Sequence, residues 1–262
     1  MRTWTKVCCI AAFTSAIAAC SSSPTGRNQL ILFSDAQMSQ LGAQSFEQMK
    51  QQQKISQDQT VNAYVQCVAK AITDHVPPQP DFSEWEVVVF DSDQVNAFAL
   101  PGGKIGVYTG LLKVAVTPDQ LATVIGHEIA HVLADHSNER LSQSQLANTG
   151  LQITNVALGG SEYRNVTMAA LGLGVQYGVI LPYGRTQESE ADIVGLELMA
   201  KSGFDPNQSI ELWKNMSKAS GGSQPPELLS THPSHSTRIS DLRQKSSSLP
   251  DYNTPKPTCN KA

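Results

Sequence analysis

The chain has 262 residues, 40% of them hydrophobic and 16% charged, enough for one globular domain with a real core and some appendages. Its formal net charge is −4 and no long basic run appears, so nucleic-acid binding has no electrostatic footprint here.

Arg2 and Lys6 precede an apolar run, Val7 to Ala19 (VCCIAAFTSAIAA), that is too short for a comfortable membrane span. The run ends in IAAC, an apolar residue and two small ones before Cys20. This resembles a bacterial lipoprotein signal with its lipobox. The resemblance implies cleavage before Cys20 and acyl chains on that cysteine; an ordinary secretory signal cut near the same place is the alternative. Ser21 and Ser22 follow, with no aspartate after the cysteine. By analogy with lipoprotein sorting, this directs the chain to the periplasmic face of the outer membrane. Removing Arg2 and Lys6 leaves 17 basic against 23 acidic residues. Such a surface is not drawn to anionic headgroups, so the lipid would do the anchoring. Cys67 and Cys259 then remain as an even pair in an oxidising compartment and are expected to form a disulfide, the alternative being two free thiols.

Residues 20–33 read as a lipidated tether. The segment from Ser34 (SDAQMSQLGAQSFEQMKQQ) reads as a helix capped by Ser34. A second helix is expected from about Gln57 to Val76, stopping before Pro77 and Pro78. EWEVVVFD from Glu84 is β-branched and aromatic, the mark of a strand. NAFALPGGKIGVYTGLL reads as a strand, a turn at Pro101–Gly102–Gly103 and a second strand. An exposed edge at Asn96, Ala97, Phe98 and Ala99 could pair with an extended peptide. TPDQLATVIGHEIAHVLADHSNERL carries strong helix signals: Thr117 as cap, Pro118 at the first position and Asp119 in the first turn. Residues 146–181 are small and apolar. Val166 to Leu181 is short for a membrane span and contains Gln176, so a buried or site-covering helix is expected. Helices are also expected in RTQESEADIVGLELMAKSGF, PNQSIELWKNMSKAS and SHSTRISDLRQK, with a loop-like tail from Ser246.

The chemistry concentrates in HEIAH, residues 127–131. On a helix, positions i and i+4 share a face, so His127 and His131 can both reach one zinc ion. Glu128 is rotated about 100° from His127 and sits beside such a metal, where a base for water would be needed. Val124, Ile125, Ile129, Val132 and Leu133 make the surroundings apolar, and buried polar groups need partners. A catalytic zinc takes three protein ligands, so one must come from elsewhere. Ala134 and Ser137 stand where an extended HExxHxxGxxH motif needs Gly and His, which removes His136 from the ligand list. Glu188, Glu190 and Asp192 lie on a later helix. Glu188 and Asp192 share a face and either could ligate, the other accepting a hydrogen bond from a ligand histidine. Glu190 points nearly opposite and is expected to face solvent.

Taken in order, VNAFALPGGKIGVYTGLL, VIGHEIAHVLADH, RTQESEADIVG and THPSHSTRI resemble the M48 family of zinc metallopeptidases, in its bacterial periplasmic and outer-membrane lipoprotein type. The resemblance spans about Ser34 to Lys245. It implies a mainly α fold with a small β-sheet (α+β, zincin-like) over 34–245, with residues 1–19 as signal and 246–262 as tail. It also implies one Zn2+ per chain on His127, His131 and Glu188, Glu128 as general base and Asp192 as the partner beside the ligands. His232 falls at the position thought to face the active site. Gly184 stands where the family often has Ser, away from the ligands. The implied activity is zinc-dependent endopeptidase action on misfolded or unassembled cell-envelope proteins, with envelope assembly complexes as partners. The alternative is an assembly factor for outer-membrane proteins in which proteolysis is secondary.

Overall fold

The computed structural model describes residues 20–159, 161–176, 180–219, 221 and 234–261. The expected signal, residues 1–19, and His232 lie outside the described residues. Helices dominate, with two small sheets, and the mainly α class with a small sheet holds.

The chain opens with a hairpin, β1 (Cys20–Ser22) paired antiparallel with β2 (Asn28–Leu30). A tether reading does not describe it, because Ser23 and Gln29 are buried against the body of the protein. Helix α1 (Asp35–Gln52) starts at a reciprocal cap: Ser34 accepts from the amide of Gln37, whose side chain accepts from the Ser34 amide. Helix α2 (Gln59–Thr73) starts at Asp58, which accepts from the amides of Thr60 and Val61. Strands β3 (Glu86–Phe90), β4 (Ala97–Leu100) and β5 (Lys104–Tyr108) form a sheet in the order β3-β5-β4. The β3 and β5 strands are parallel; β4 and β5 form an antiparallel hairpin.

Alternation divides the faces of β4. Ala97 and Ala99 are buried toward the main core, while Phe98 packs with Phe46, Phe90 and Tyr108 in a separate aromatic cluster under α1. The outer edge of β3 is covered by residues 54–56, where the Ser56 amide donates to Val89. No described strand pairs with the outer edge of β4.

Helix α3 (Pro118–Leu133) is capped by Thr117, whose hydroxyl accepts from the Gln120 amide. Its end is sharp. Asp135 takes a left-handed conformation, φ 51°, which an aspartate tolerates better than most residues. Helix α4 (His136–Ala157) begins immediately after it. Helix α6 (Leu181–Lys201) crosses α3 at two glycines. A Cβ on Gly126 would lie 2.8 Å from the Gly195 carbonyl oxygen, and one on Gly195 would lie 2.6 Å from the His127 nitrogen. Without side chains there, the two backbones touch, and the carboxylates of α6 come level with the histidines of α3.

Helix α5 (Arg164–Val175) packs on α4, not on the core. The expectation of burial fails over the described residues before 177, where Ile153, Val156, Val166 and Leu173 are exposed and α5 has no buried residue; Leu181 is buried, and residues 177–179 lie outside the described ones. Among the described residues, no helix is long and apolar enough to cross a membrane. Helices α7 (Gln208–Ala219) and α8 (His235–Ser248) close the body. The segment after α8 has no regular structure yet is held down. Cys259 is disulfide-bonded to Cys67 of α2, and Lys256 pairs with Asp119 at the start of α3.

Candidate metal centre

The crossing of α3 and α6 brings three donor groups together. The nearest ligand atoms of His127, His131 and Glu188 all lie within 4.8 Å of one another. The two Nε2 atoms are 3.1 Å apart. The Glu188 carboxylate oxygens approach them at 3.5 Å for His127 and 3.4 Å for His131. Glu188 and Asp192, left as alternatives by spacing alone, have separate places. Glu188 faces both Nε2 atoms, whereas Asp192 Oδ1 lies 3.0 Å from His127 Nδ1, on the far side of the ring.

Asp192 is clamped by Arg238 of α8. The Arg238 Nε donates to Asp192 Oδ2 at 2.7 Å, and Nη2 donates to Oδ1. Arg238 is buried and stacks over Trp213, 3.6 Å from the ring centroid. Its Nη2 also comes within 3.2 Å of His127 Nδ1. With an ionised carboxylate at 3.0 Å, that ring nitrogen is the donor to Asp192, and the guanidinium is close because it grips the same oxygen. Burial opposes ionisation of Asp192, but Arg238 and His127 hold its carboxyl below the usual range.

On the other ring, His131 Nδ1 lies 2.8 Å from Nδ1 of His136, and His136 Nε2 lies 3.1 Å from Glu190 Oε2. The left-handed turn at Asp135 folds the His136 ring back onto His131. His136 is therefore not a ligand; it touches the ligand's far nitrogen. Glu190 does not face solvent. It is buried and receives His136, Thr25 and Arg27. Burial pushes its pKa up, but Ser23, Thr25, His136 and Arg27 outweigh it and bring it to about 2. Burial lowers both His131 and His136 to about 4.

Burial and Arg238 also act to lower His127, yet Asp192 and Glu188 outweigh them and raise it to about 9. Two imidazoles and one carboxylate converging, each imidazole anchored through its other nitrogen, are the donor set that suits zinc. The residues present fit that ion.

Glu128 is half-buried, with the backbone of Ala99 beside it. Burial raises its carboxyl pKa. The pairing of β4 with β5 sets the direction of the β4 backbone groups. The Asn96 carbonyl accepts from Tyr108, so residues 96 and 98 turn their backbone groups toward β5. Residues 97 and 99 turn theirs to the outer edge, where Glu128 stands. Of the four residues expected to hold a substrate, Ala97 and Ala99 carry the outward-facing groups; Asn96 and Phe98 are engaged with β5.

Reasoning from sequence missed Arg238, His136, Glu190 and Arg27. Arg238 lies in the quoted THPSHSTRI stretch, but nothing in spacing says which carboxylate a distant arginine meets. The signal for His136 was its place just past the helix end.

Residues 56–246, most of the chain, match the model of Peptidase family M48. The chain belongs to this family. Among relatives of this M48 chain is the mitochondrial metalloendopeptidase OMA1 of Schizosaccharomyces pombe, 35% identical over 162 residues, which are 62% of this chain and 46% of that protein. The bovine mitochondrial metalloendopeptidase OMA1 is 34% identical over 233 residues, covering 83% of this chain and 44% of the relative. The β-barrel assembly-enhancing protease of Escherichia coli is 25% identical over 218 residues, covering 80% and 44%. This M48 chain spans less than half the length of these relatives. The N-terminal hairpin lies outside the residues that match the family.

Proposed function

We propose that this protein is a zinc-dependent endopeptidase. The observation that carries the reading is the convergence of His127, His131 and Glu188 at one point, with Glu128 beside them next to the edge of β4 that no described strand pairs with. A zinc ion held by those three residues would acidify water and polarise a carbonyl. Glu128 then takes the water proton and returns it to the leaving amine. The outward N–H and C=O groups of Ala97 and the outward C=O of Ala99 would hold a substrate extended alongside β4, with its backbone near Glu128. Asp192 and Arg238 keep His127 oriented, and His136 does the same for His131.

The substrate class follows from the N-terminus and the relatives. The lipobox-like IAAC that ends at Cys20 supports a lipid-anchored protein on the periplasmic face of the outer membrane. The similarity to β-barrel assembly-enhancing proteases supports misfolded or unassembled envelope proteins as substrates, although other relatives are mitochondrial. That same relative's name supports a second reading, assembly assistance with proteolysis secondary.

The decisive comparison is wild type against Glu128→Gln, with metal content and cleavage of an unfolded protein measured together. Glu128→Gln is expected to keep one zinc per chain and lose at least ~10²-fold in cleavage rate. Full cleavage by the variant, or wild type without zinc, would overturn the hydrolase reading. A variant that still relieved envelope defects in cells would favour assembly assistance.

A further inference from the structure

We propose that the N-terminal hairpin is a working part of the metal centre. Arg27, bridging Glu190 and Glu139, keeps His136 in place as the partner of His131. The inference rests on the metal-binding reading of His127, His131 and Glu188.

The polarity of the chain of hydrogen bonds is determined. For His131 Nε2 to offer a lone pair beside His127 and Glu188, its proton must sit on Nδ1. That proton points at His136 Nδ1, 2.8 Å away, which must accept it. The His136 proton is then on Nε2, 3.1 Å from Glu190 Oε2. Glu190 must therefore be an ionised acceptor, held in one orientation. The hairpin supplies what holds it. The Thr25 hydroxyl donates to Glu190 Oε1 at 2.5 Å. Arg27 donates to Oε2 through Nε at 3.1 Å and Nη2 at 2.9 Å. The outer edge of the same guanidinium grips Glu139, at 2.6 Å and 2.7 Å.

Glu139 and Glu190 have side chains only 0% and 3% exposed, and Arg27 is the cation between them. Remove it, and two buried carboxylates share a site with their charge uncompensated. Glu190 then loses the two donors that hold Oε2 in place and moves away from Glu139. That releases His136, and His131 loses the acceptor that fixes its ring. A lysine restores a charge but not the planar fork that serves two carboxylates at once. The hairpin also ties itself to the turn beneath the site, where Gln29 Nε2 donates to the Ala134 carbonyl at 2.6 Å. Arg27 is thus a positioning residue that acts on a ligand through His136.

The test uses the full mature chain and measures zinc affinity by competition with a chromophoric chelator. The absorption spectrum of the cobalt-substituted protein is recorded, with kcat and KM at saturating zinc. Arg27→Ala is expected to weaken zinc binding about 10–100-fold and to alter the cobalt spectrum. kcat should fall with KM little changed, because the β4 edge is untouched. Arg27→Lys should recover only part of this, while Asn28→Ala, on the exposed side of the hairpin, should match wild type. A folded Arg27→Ala protein with zinc affinity within about twofold of wild type and an unchanged cobalt spectrum would sink the inference. If Arg27→Ala does not fold, Thr25→Ala removes a single bond to Glu190. It should weaken zinc binding by a smaller factor, and no weakening there would be equally decisive. Wild type that fails to bind zinc would instead undo the metal-site reading itself.

Discussion

An imidazole that must offer one nitrogen to a cation needs its other nitrogen held, and the two histidines of α3 meet that need differently. His127 leans directly on Asp192, which Arg238 clamps. His131 leans on His136, and only through it on Glu190. Asp192→Asn keeps the shape but removes the charge that Arg238 and His127 share. Zinc affinity in the variant is expected to fall about 10–100-fold, read by chelator competition; unchanged affinity would exclude the orienting role. The same groups give the metal-free protein a stability optimum. His131 and His136 are lowered to about 4 from an ordinary value of about 6.5. Folding keeps them neutral, so their contribution is complete above pH ~6.5 and is lost as pH falls toward 4. His127 is raised to about 9, so its contribution is complete below pH ~6.5 and is lost as pH rises through 9. Thermal unfolding in chelator should therefore peak near pH ~6.5. His136→Asn should flatten the acid side, and a monotonic profile in wild type would contradict these assignments.

At the scale of elements, the site is a crossing of two helices at glycines. Gly195→Ala would put a methyl group 2.6 Å from the His127 backbone, where nothing flexible can yield. Overpacking of this kind costs about 1–3 kcal/mol, and it should also pull Glu188 away from the histidines. Denaturant unfolding and zinc affinity should both fall; loss of stability alone would show that the crossing does not set the ligand geometry. The ligands were legible because i and i+4 spacing puts His127 with His131, and Glu188 with Asp192, whatever the rest of the fold does. Glu190 was misread for a physical reason. A helical wheel assumes one buried face, but α6 is enclosed on two sides, by α3 and by the N-terminal hairpin. Apolar composition likewise misled over α4 and α5, where Val156 and Val166 stay exposed because the two helices pack on each other and not on the core.

The whole molecule is closed from both ends of the described chain onto the α3–α6 crossing. The N-terminal hairpin reaches it through Arg27, and α8 reaches it through Arg238. Beyond α8 the chain has no regular structure of its own, so something else must keep that arm in place. Lys256 meets Asp119 at the N-terminus of α3, and Cys259 is bonded to Cys67 across 192 residues of sequence. A crosslink over so long a loop restricts the unfolded chain strongly, and removing such a bond typically costs 2–5 kcal/mol. Cys67→Ser is expected to lower stability by about that amount in urea unfolding. Adding reductant should bring wild type to the same curve and leave the variant where it was. Zinc content should persist in the folded variant, because neither cysteine touches the ligands. Wild type that unfolds identically with and without reductant would show that the bond does not form in solution, and the tail would then be held by its noncovalent contacts, Lys256 with Asp119 and Lys261 with the Leu112 carbonyl among them.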